Sequence, residues 1–232
     1  MLIRFAAHRR VSQALALLVP FAYQAICLLC LRHWRGRDAW SNLDRFSGAF
    51  FCLTALLLIY ESRFKLGVLQ RPAMLREAAG LSYDPATVRW GMILAVGDLA
   101  VFLDYAHWHL VPALRLPGLQ VAGLALYALA IACLMWADTF LARHFRADAR
   151  VRQLMTTGPF RVVRHPRYLG LLLAKLAFAM LFASIVGWIL LAATILLIWR
   201  RIRLEEVHLH QLFGSDYSLY AKRTPSLVPG IY

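Results

Sequence analysis

The sequence predicts an all-α fold: a polytopic helical membrane protein of about six membrane helices, the last two a hairpin, with a short cytoplasmic C-terminal helix and tail. Three observations carry this. The chain is 61% hydrophobic and only 16% charged over 232 residues, whereas a soluble domain is near half apolar and about a quarter charged. Its apolar residues gather into runs of about the 20 residues that cross a hydrocarbon core. Its charges, 26 Lys and Arg against 12 Asp and Glu, fall between those runs, as the positive-inside rule describes.

Taken in order, Val11–Leu31 is the first run, followed by Phe46–Tyr60 with its flanks, Trp90–Val111 and Leu119–Ala142. The last run, Tyr168–Trp199, is too long for one crossing, because at about 1.5 Å per residue it overshoots a core of about 30 Å. It therefore reads as a helical hairpin, turning near Ala183–Gly187, where Ser184 and Gly187 supply the turn signals. A hairpin returns the polar segments at its two ends to one side of the membrane. The linker Glu61–Arg89, with Pro72, Gly80 and Pro85, has room for an interfacial helix.

Arginine placement sets the orientation. Arg143, Arg146, Arg150, Arg152, Arg161, Arg164 and Arg167 crowd one connection, while Pro112–Pro117 holds only Arg115, so the crowded side is expected to be cytoplasmic. Arg32, Arg35, Arg37 and Arg45 rival Arg4, Arg9 and Arg10, which leaves the direction of the first span open. The Ala-, Leu- and Arg-rich composition points to a bacterial inner membrane, or to the endoplasmic reticulum should the source be eukaryotic. No cleavable leader is expected, since the first run lacks a convincing small-residue cleavage site and more spans follow it.

Several function classes are excluded. The net charge of +14 would suggest nucleic acid in a soluble chain, yet no basic stripe carries interleaved aromatics, and no nucleic-acid partner is expected. Cys27, Cys30, Cys52 and Cys133 all lie in apolar runs and read as small buried hydrophobes, not as redox or zinc ligands. Asp98, Asp104 and His107 on the third span and Asp138 on the fourth are costly at membrane depth. They read first as helix-packing groups, with Asp104 and His107 placed i, i+3 to satisfy each other, and second as part of a substrate pocket; no metal ligand set is evident. Trp108 and His109 sit where an interfacial anchor belongs.

Two stretches carry chemistry. The first, "TGPFRVVRHPRYLG" at residues 157–170, joins a Thr-Gly-Pro turn to a basic strip and a helix opened by Pro166. The unpaired N–H groups of that opening favour an anion. A plain alternative is an interface turn whose arginines snorkel to lipid phosphates. The second, "WRRIRLEEVHLHQLFGSDYSLYAKRTPSLVPG" from Trp199 to Gly230, continues as an amphipathic helix with Gly214 as its expected stop. Arg201, Glu205 and His208 share a face, with Arg203 and Glu206 to its sides. Here the plain alternative is a surface ion pair worth about a few tenths of a kcal/mol.

Together the order, spacing and tail of "GPFRVVRHPRYLG" and "RLEEVHLHQLFGSDYSLYAKRTPSLVPG" resemble the isoprenylcysteine carboxyl methyltransferase family and the wider membrane methyltransferases that include phospholipid methyltransferases. The resemblance covers about residue 120 to the end. It implies two parts: residues 1–117, N-terminal membrane helices concerned with substrate choice, and residues 118–232, a methyltransferase-like core. The resemblance further implies a multi-pass enzyme that binds S-adenosylmethionine on the cytoplasmic side and takes a lipidated or lipid-like carboxylate from the bilayer, among membrane lipids. Carried over by position, the cofactor pocket uses Arg152, Gln153, Leu154, Met155, Phe160, His165, Pro166, Arg167, Tyr168 and Glu205, and Arg201 is the catalytic group that meets the substrate carboxylate. Phe160 stands where a tyrosine is common, and Arg152 replaces a more usual histidine.

A carboxylate acceptor is already ionised at neutral pH and needs no strong base. A phospholipid amine or small thiol, the alternative acceptors, would need one, with His165 or His208 as candidates. A sterol-reductase-like NADPH enzyme and a non-catalytic membrane scaffold are the readings from other classes.

Overall fold

The computed structural model describes residues 21–27, 29, 45–69, 85–108, 110–114, 116–147 and 154–228. Residues 21–27 are helical. The other helices are α1 (Arg45–Leu69), α2 (Pro85–Leu103), α3 (Pro117–Ala147), the single turn α4 (Pro159–Val162), α5 (Pro166–Leu181) and α6 (Ile185–Arg223). Among the described residues no strand occurs. Among the described residues, two helices are long and apolar enough to cross a membrane, Pro117–Leu141 and Ile185–Arg223, and Phe46–Glu61 is a shorter apolar one. The expected first span lies mostly outside the described residues, as do Cys30 and the linker beyond Leu69. The linker's first part is helical, because α1 continues past Tyr60 to Leu69.

α3 and α5 pack antiparallel, and glycine decides how closely. A Cβ on Gly123 would sit 2.7 Å from the backbone N of Leu181, and one on Gly170 would sit 2.9 Å from Leu134 Cγ. With no hydrophobic force between helices in lipid, such close backbone approach is a main source of their association. α5 and α6 form the expected hairpin, turning over Phe182, Ala183 and Ser184 at the near edge of the expected window. Ala183 takes φ 46 in this turn, and Gly187 lets α6 approach Ala179, whose Cα would lie 3.0 Å from an added Cβ.

At the turn the Ser184 hydroxyl donates to Asp104 Oδ2 at 2.5 Å, and the Leu110 N–H donates to Asp104 Oδ1 at 2.9 Å. Asp104 therefore ties the hairpin to the end of α2, where the helix widens into a π-turn over Asp104–Trp108. The side chain of His107, the expected i, i+3 partner of Asp104, and all of His109 lie outside the described residues.

The core is aromatic. Phe50 of α1 stands 4.7–5.5 Å, between ring centroids, from Phe51, Tyr127, Phe178 and Phe182, tilted or edge-on, as ring quadrupoles prefer. Leu56, Val96, Ile189 and Leu196 point outward and keep 62–68% of their surface exposed, which gives the bundle an apolar exterior.

Candidate active site

Local rules build the turn between α3 and α5. Gly158 takes φ 60, a region that glycine enters without strain, and a Cβ there would lie 2.3 Å from Phe140. Pro159 and Pro166 then start α4 and α5 at positions that need no amide hydrogen. The C-terminal tail closes the turn from the other side. Arg164 N–H donates to Pro225 O at 2.8 Å and His165 N–H to Ser226 O at 3.1 Å, while the Tyr220 hydroxyl donates to Phe160 O at 2.6 Å. α6 reaches this tail only because Gly214, at φ 51 and ψ −120, breaks its direction. The expected stop at Gly214 is thus a kink, and helix resumes to Arg223.

The hairpin brings the two stretches together. His165, only 6% exposed, lies between two carboxylates: Nδ1 is 3.6 Å from Glu205 Oε2, and Nε2 is 3.3 Å from Glu206 Oε1. The Tyr168 hydroxyl donates to Glu205 Oε1 at 2.5 Å and accepts from Arg201 Nε at 3.2 Å. Arg201 Nε is also 3.3 Å from Glu205 Oε1, and its side chain is 9% exposed, so this is no surface ion pair. Arg164 reaches Glu206 at 3.3 Å.

The apolar part of α6 ends at Trp199, and these groups lie beyond it. Burial alone would lower the His165 pKa, but the close carboxylates of Glu205 and Glu206 outweigh burial and hold it above the ordinary histidine value. Burial alone would raise Glu205; the hydrogen bonds of His165 and Tyr168, with the His165 and Arg201 charges, hold it below the usual carboxylate range. The hydrogen bond to His165 is what chiefly lowers Glu206, against burial and with help from Arg164.

Of the residues singled out in the sequence, His165, Tyr168, Arg201 and Glu205 are in mutual contact. Pro166 is buried at the start of α5. Arg167 points elsewhere, with Nε 3.3 Å from Asp138 Oδ1. The Phe160 ring faces Phe140, 6.3 Å between centroids. Leu154 and Met155 form an extended, half-buried lead into the turn, without strand pairing, and Arg152 and Gln153 lie outside the described residues. Glu206, which helical spacing places to one side of the Arg201–Glu205 face and which was not among the expected site residues, is the second carboxylate on His165. Its neighbour Arg164 and the tail residue Tyr220 also belong here; both lie inside the quoted motifs, but no spacing rule singled them out.

The donor set fits a sulfonium that carries an amino-acid tail. Glu205 and Glu206 stay 23% and 26% exposed and suit cationic groups, whereas Arg164, His165 and the start of α5, which no side chain caps, suit a carboxylate.

The fold and site thus define a helical protein with a cluster of charged side chains beyond the apolar part of α6. Residues 117–216 match the family described as phospholipid methyltransferase. The chain is 36% identical over 80 residues to the protein-S-isoprenylcysteine O-methyltransferase of Schizosaccharomyces pombe, covering 33% of each chain. To protein-S-isoprenylcysteine O-methyltransferase B of Arabidopsis thaliana it is 36% identical over 81 residues, 33% of this chain and 40% of that one. To methanethiol S-methyltransferase 2 of Bradyrhizobium diazoefficiens it is 27% identical over 198 residues, 78% of this chain and 74% of that one. The first two matches thus span two fifths or less of those relatives. Over residues 117–216 and the shorter aligned stretches, the chain is thus similar to phospholipid, isoprenylcysteine and methanethiol methyltransferases.

Proposed function

We propose that the protein is a multi-pass membrane methyltransferase that uses S-adenosylmethionine to O-methylate a carboxylate on a lipidated or lipid-like substrate, with its site on the cytoplasmic face. The observation that carries this reading is the cluster of His165, Tyr168, Arg201 and Glu205, joined across the hairpin. When bound, the donor supplies a methyl carbon whose bond to sulfur breaks, with the electron pair left on sulfur, as the acceptor oxygen bonds that carbon.

The protein's own groups would hold and orient. Glu205 and Glu206 would face the donor's cationic groups, and Arg164, His165 and the opening of α5 its carboxylate. Tyr168 and Glu205 fix the Arg201 side chain, so its planar fork is preset for a carboxylate acceptor. The apolar bundle beneath excludes water, which strengthens attraction between the oppositely charged reactants. A carboxylate acceptor, ionised at neutral pH, needs no base, and the two glutamates that raise the His165 pKa favour its protonated form over the free base that a thiol or amine acceptor would need.

The test is incubation of the protein in lipid nanodiscs with methyl-labelled donor and lipid extract, followed by mass spectrometry. A base-labile methyl ester is the expected product. A methylated amine or sulfur would move the acceptor to the other class, and no transfer to any acceptor would remove the reading.

A further inference from the structure

A cavity of 440 Å³ is lined by Arg167 and Tyr168 and also by Glu61, Asp98, Lys175, Thr54 and Tyr127. Its volume is that of a small-molecule site, and its mostly apolar lining, which includes Phe50, Leu57, Phe102, Leu134 and Phe178, is interrupted by a few polar groups. Lys175 lies on the same face of α5 as Tyr168 and Leu171, seven residues on, or about 10 Å along the helix. Its ammonium donates to both oxygens of Asp98, at 2.7 and 2.5 Å. The carboxylate takes at most two of its three N–H groups, and the two side chains keep 19% and 18% exposure where they line the cavity.

A second polar group is set by elimination. The Thr54 hydroxyl gives its one proton to Phe50 O at 2.7 Å, so in the 2.8 Å contact with Tyr127 the tyrosine is the donor. The Tyr127 oxygen then has lone-pair capacity left. A plain hydrocarbon chain would press against an ion pair and a phenol and satisfy neither, at a desolvation cost.

We propose that this cavity holds the body of the acceptor and selects an amphipathic chain whose far end carries a hydrogen-bonding oxygen, such as a hydroxyl, with Lys175 as the specificity-determining residue. Where the acceptor's reacting end sits rests on the methyl-transfer reading; recognition of the far end rests on the cavity alone.

The test compares binding of decanoate and ω-hydroxydecanoate to the full chain in nanodiscs by calorimetry, without donor. The wild type is expected to bind the hydroxylated chain about 10-fold more tightly. The paired variant Asp98→Leu with Lys175→Met, which replaces the ion pair by apolar groups, is expected to reverse the order. Equal binding of both chains by the wild type, or one unchanged preference in both proteins, overturns the proposal. A check needing no variant is labelling of the wild type by an ω-diazirine decanoate. Label on the α5 segment around Lys175, displaced by ω-hydroxydecanoate better than by decanoate, supports the assignment, and label elsewhere overturns it. Methyl transfer is scored separately. Its absence with the binding preference intact counts against the enzymatic reading alone, and transfer without any preference counts against this inference alone.

Discussion

His165 is held from both sides by consecutive residues of a helix that starts on the far side of a hairpin: Glu205 lies 3.6 Å from Nδ1 and Glu206 3.3 Å from Nε2. The arrangement raises the histidine's pKa above its ordinary value and couples the turn before α5 to the charged end of α6. Each of the two segments brings buried charges that the other compensates.

Arg201→Lys is expected to lower kcat/KM for a carboxylate acceptor by about 10–100-fold while changing donor affinity by less than about threefold. Lysine keeps the charge but not the planar fork that Tyr168 and Glu205 hold in place. Steady-state kinetics with a parallel donor titration checks this, and a shift in donor affinity as large as the loss in kcat/KM would remove Arg201 from the acceptor side.

The stability contributed by His165 is expected to be pH-dependent with a definite sign. Its pKa is higher folded than unfolded, so the contribution is complete below the unfolded value near 6.5 and fades as pH rises through the folded one. The melting temperature of the wild type should therefore exceed that of His165→Gln most at about pH 6, with the gap narrowing toward about pH 9. Thermal unfolding in nanodiscs across that range is the check, and a gap that widens with pH would contradict it.

Glu206→Gln is expected to weaken donor binding and to destabilise the protein by about 1–2 kcal/mol, because it leaves Arg164 and His165 short of one counter-charge. His165 should then titrate at lower pH, which imidazole NMR resonances of histidine-labelled protein would report.

Gly123→Ala is expected to cost about 1–3 kcal/mol, since the added methyl meets the backbone of Leu181 at 2.7 Å and neither helix can yield locally. Gly97→Ala meets the Leu190 side-chain tip at the same distance, which can rotate away, and should cost less. Equal losses in melting temperature would mean that the α3–α5 spacing is softer than the geometry implies.

Much of this was legible in the sequence. The run Tyr168–Trp199 was too long to cross once, and that length alone implied the hairpin on which the site depends. His165, Tyr168, Arg201 and Glu205 followed from the quoted motifs. Gly214 was read as an end because glycine often is one; that the chain bends there and resumes as helix is set by the tail docking at Phe160, Arg164 and His165, a long-range contact with no periodic signature.

Glu206 escaped for a related reason. Helical spacing places it about 100° from Glu205 around α6, which reads as a different face until the partner's position is known. Arg167, by contrast, sits inside the motif yet turns to Asp138 on α3, and the Lys175–Asp98 pair joins spans 77 residues apart. Neither pairing has local spacing to betray it.

The central claim is that the hairpin makes His165 and Glu205 one binding unit for the methyl donor. The most direct measurement is a double-mutant cycle on S-adenosylmethionine affinity, using His165→Ala, Glu205→Ala and the pair in nanodiscs. Each single change is expected to weaken binding by about 10-fold or more, and the pair by clearly less than the product of the two, a coupling of about 1 kcal/mol. Fully multiplicative losses, or a wild-type protein with no affinity for the donor, would contradict it.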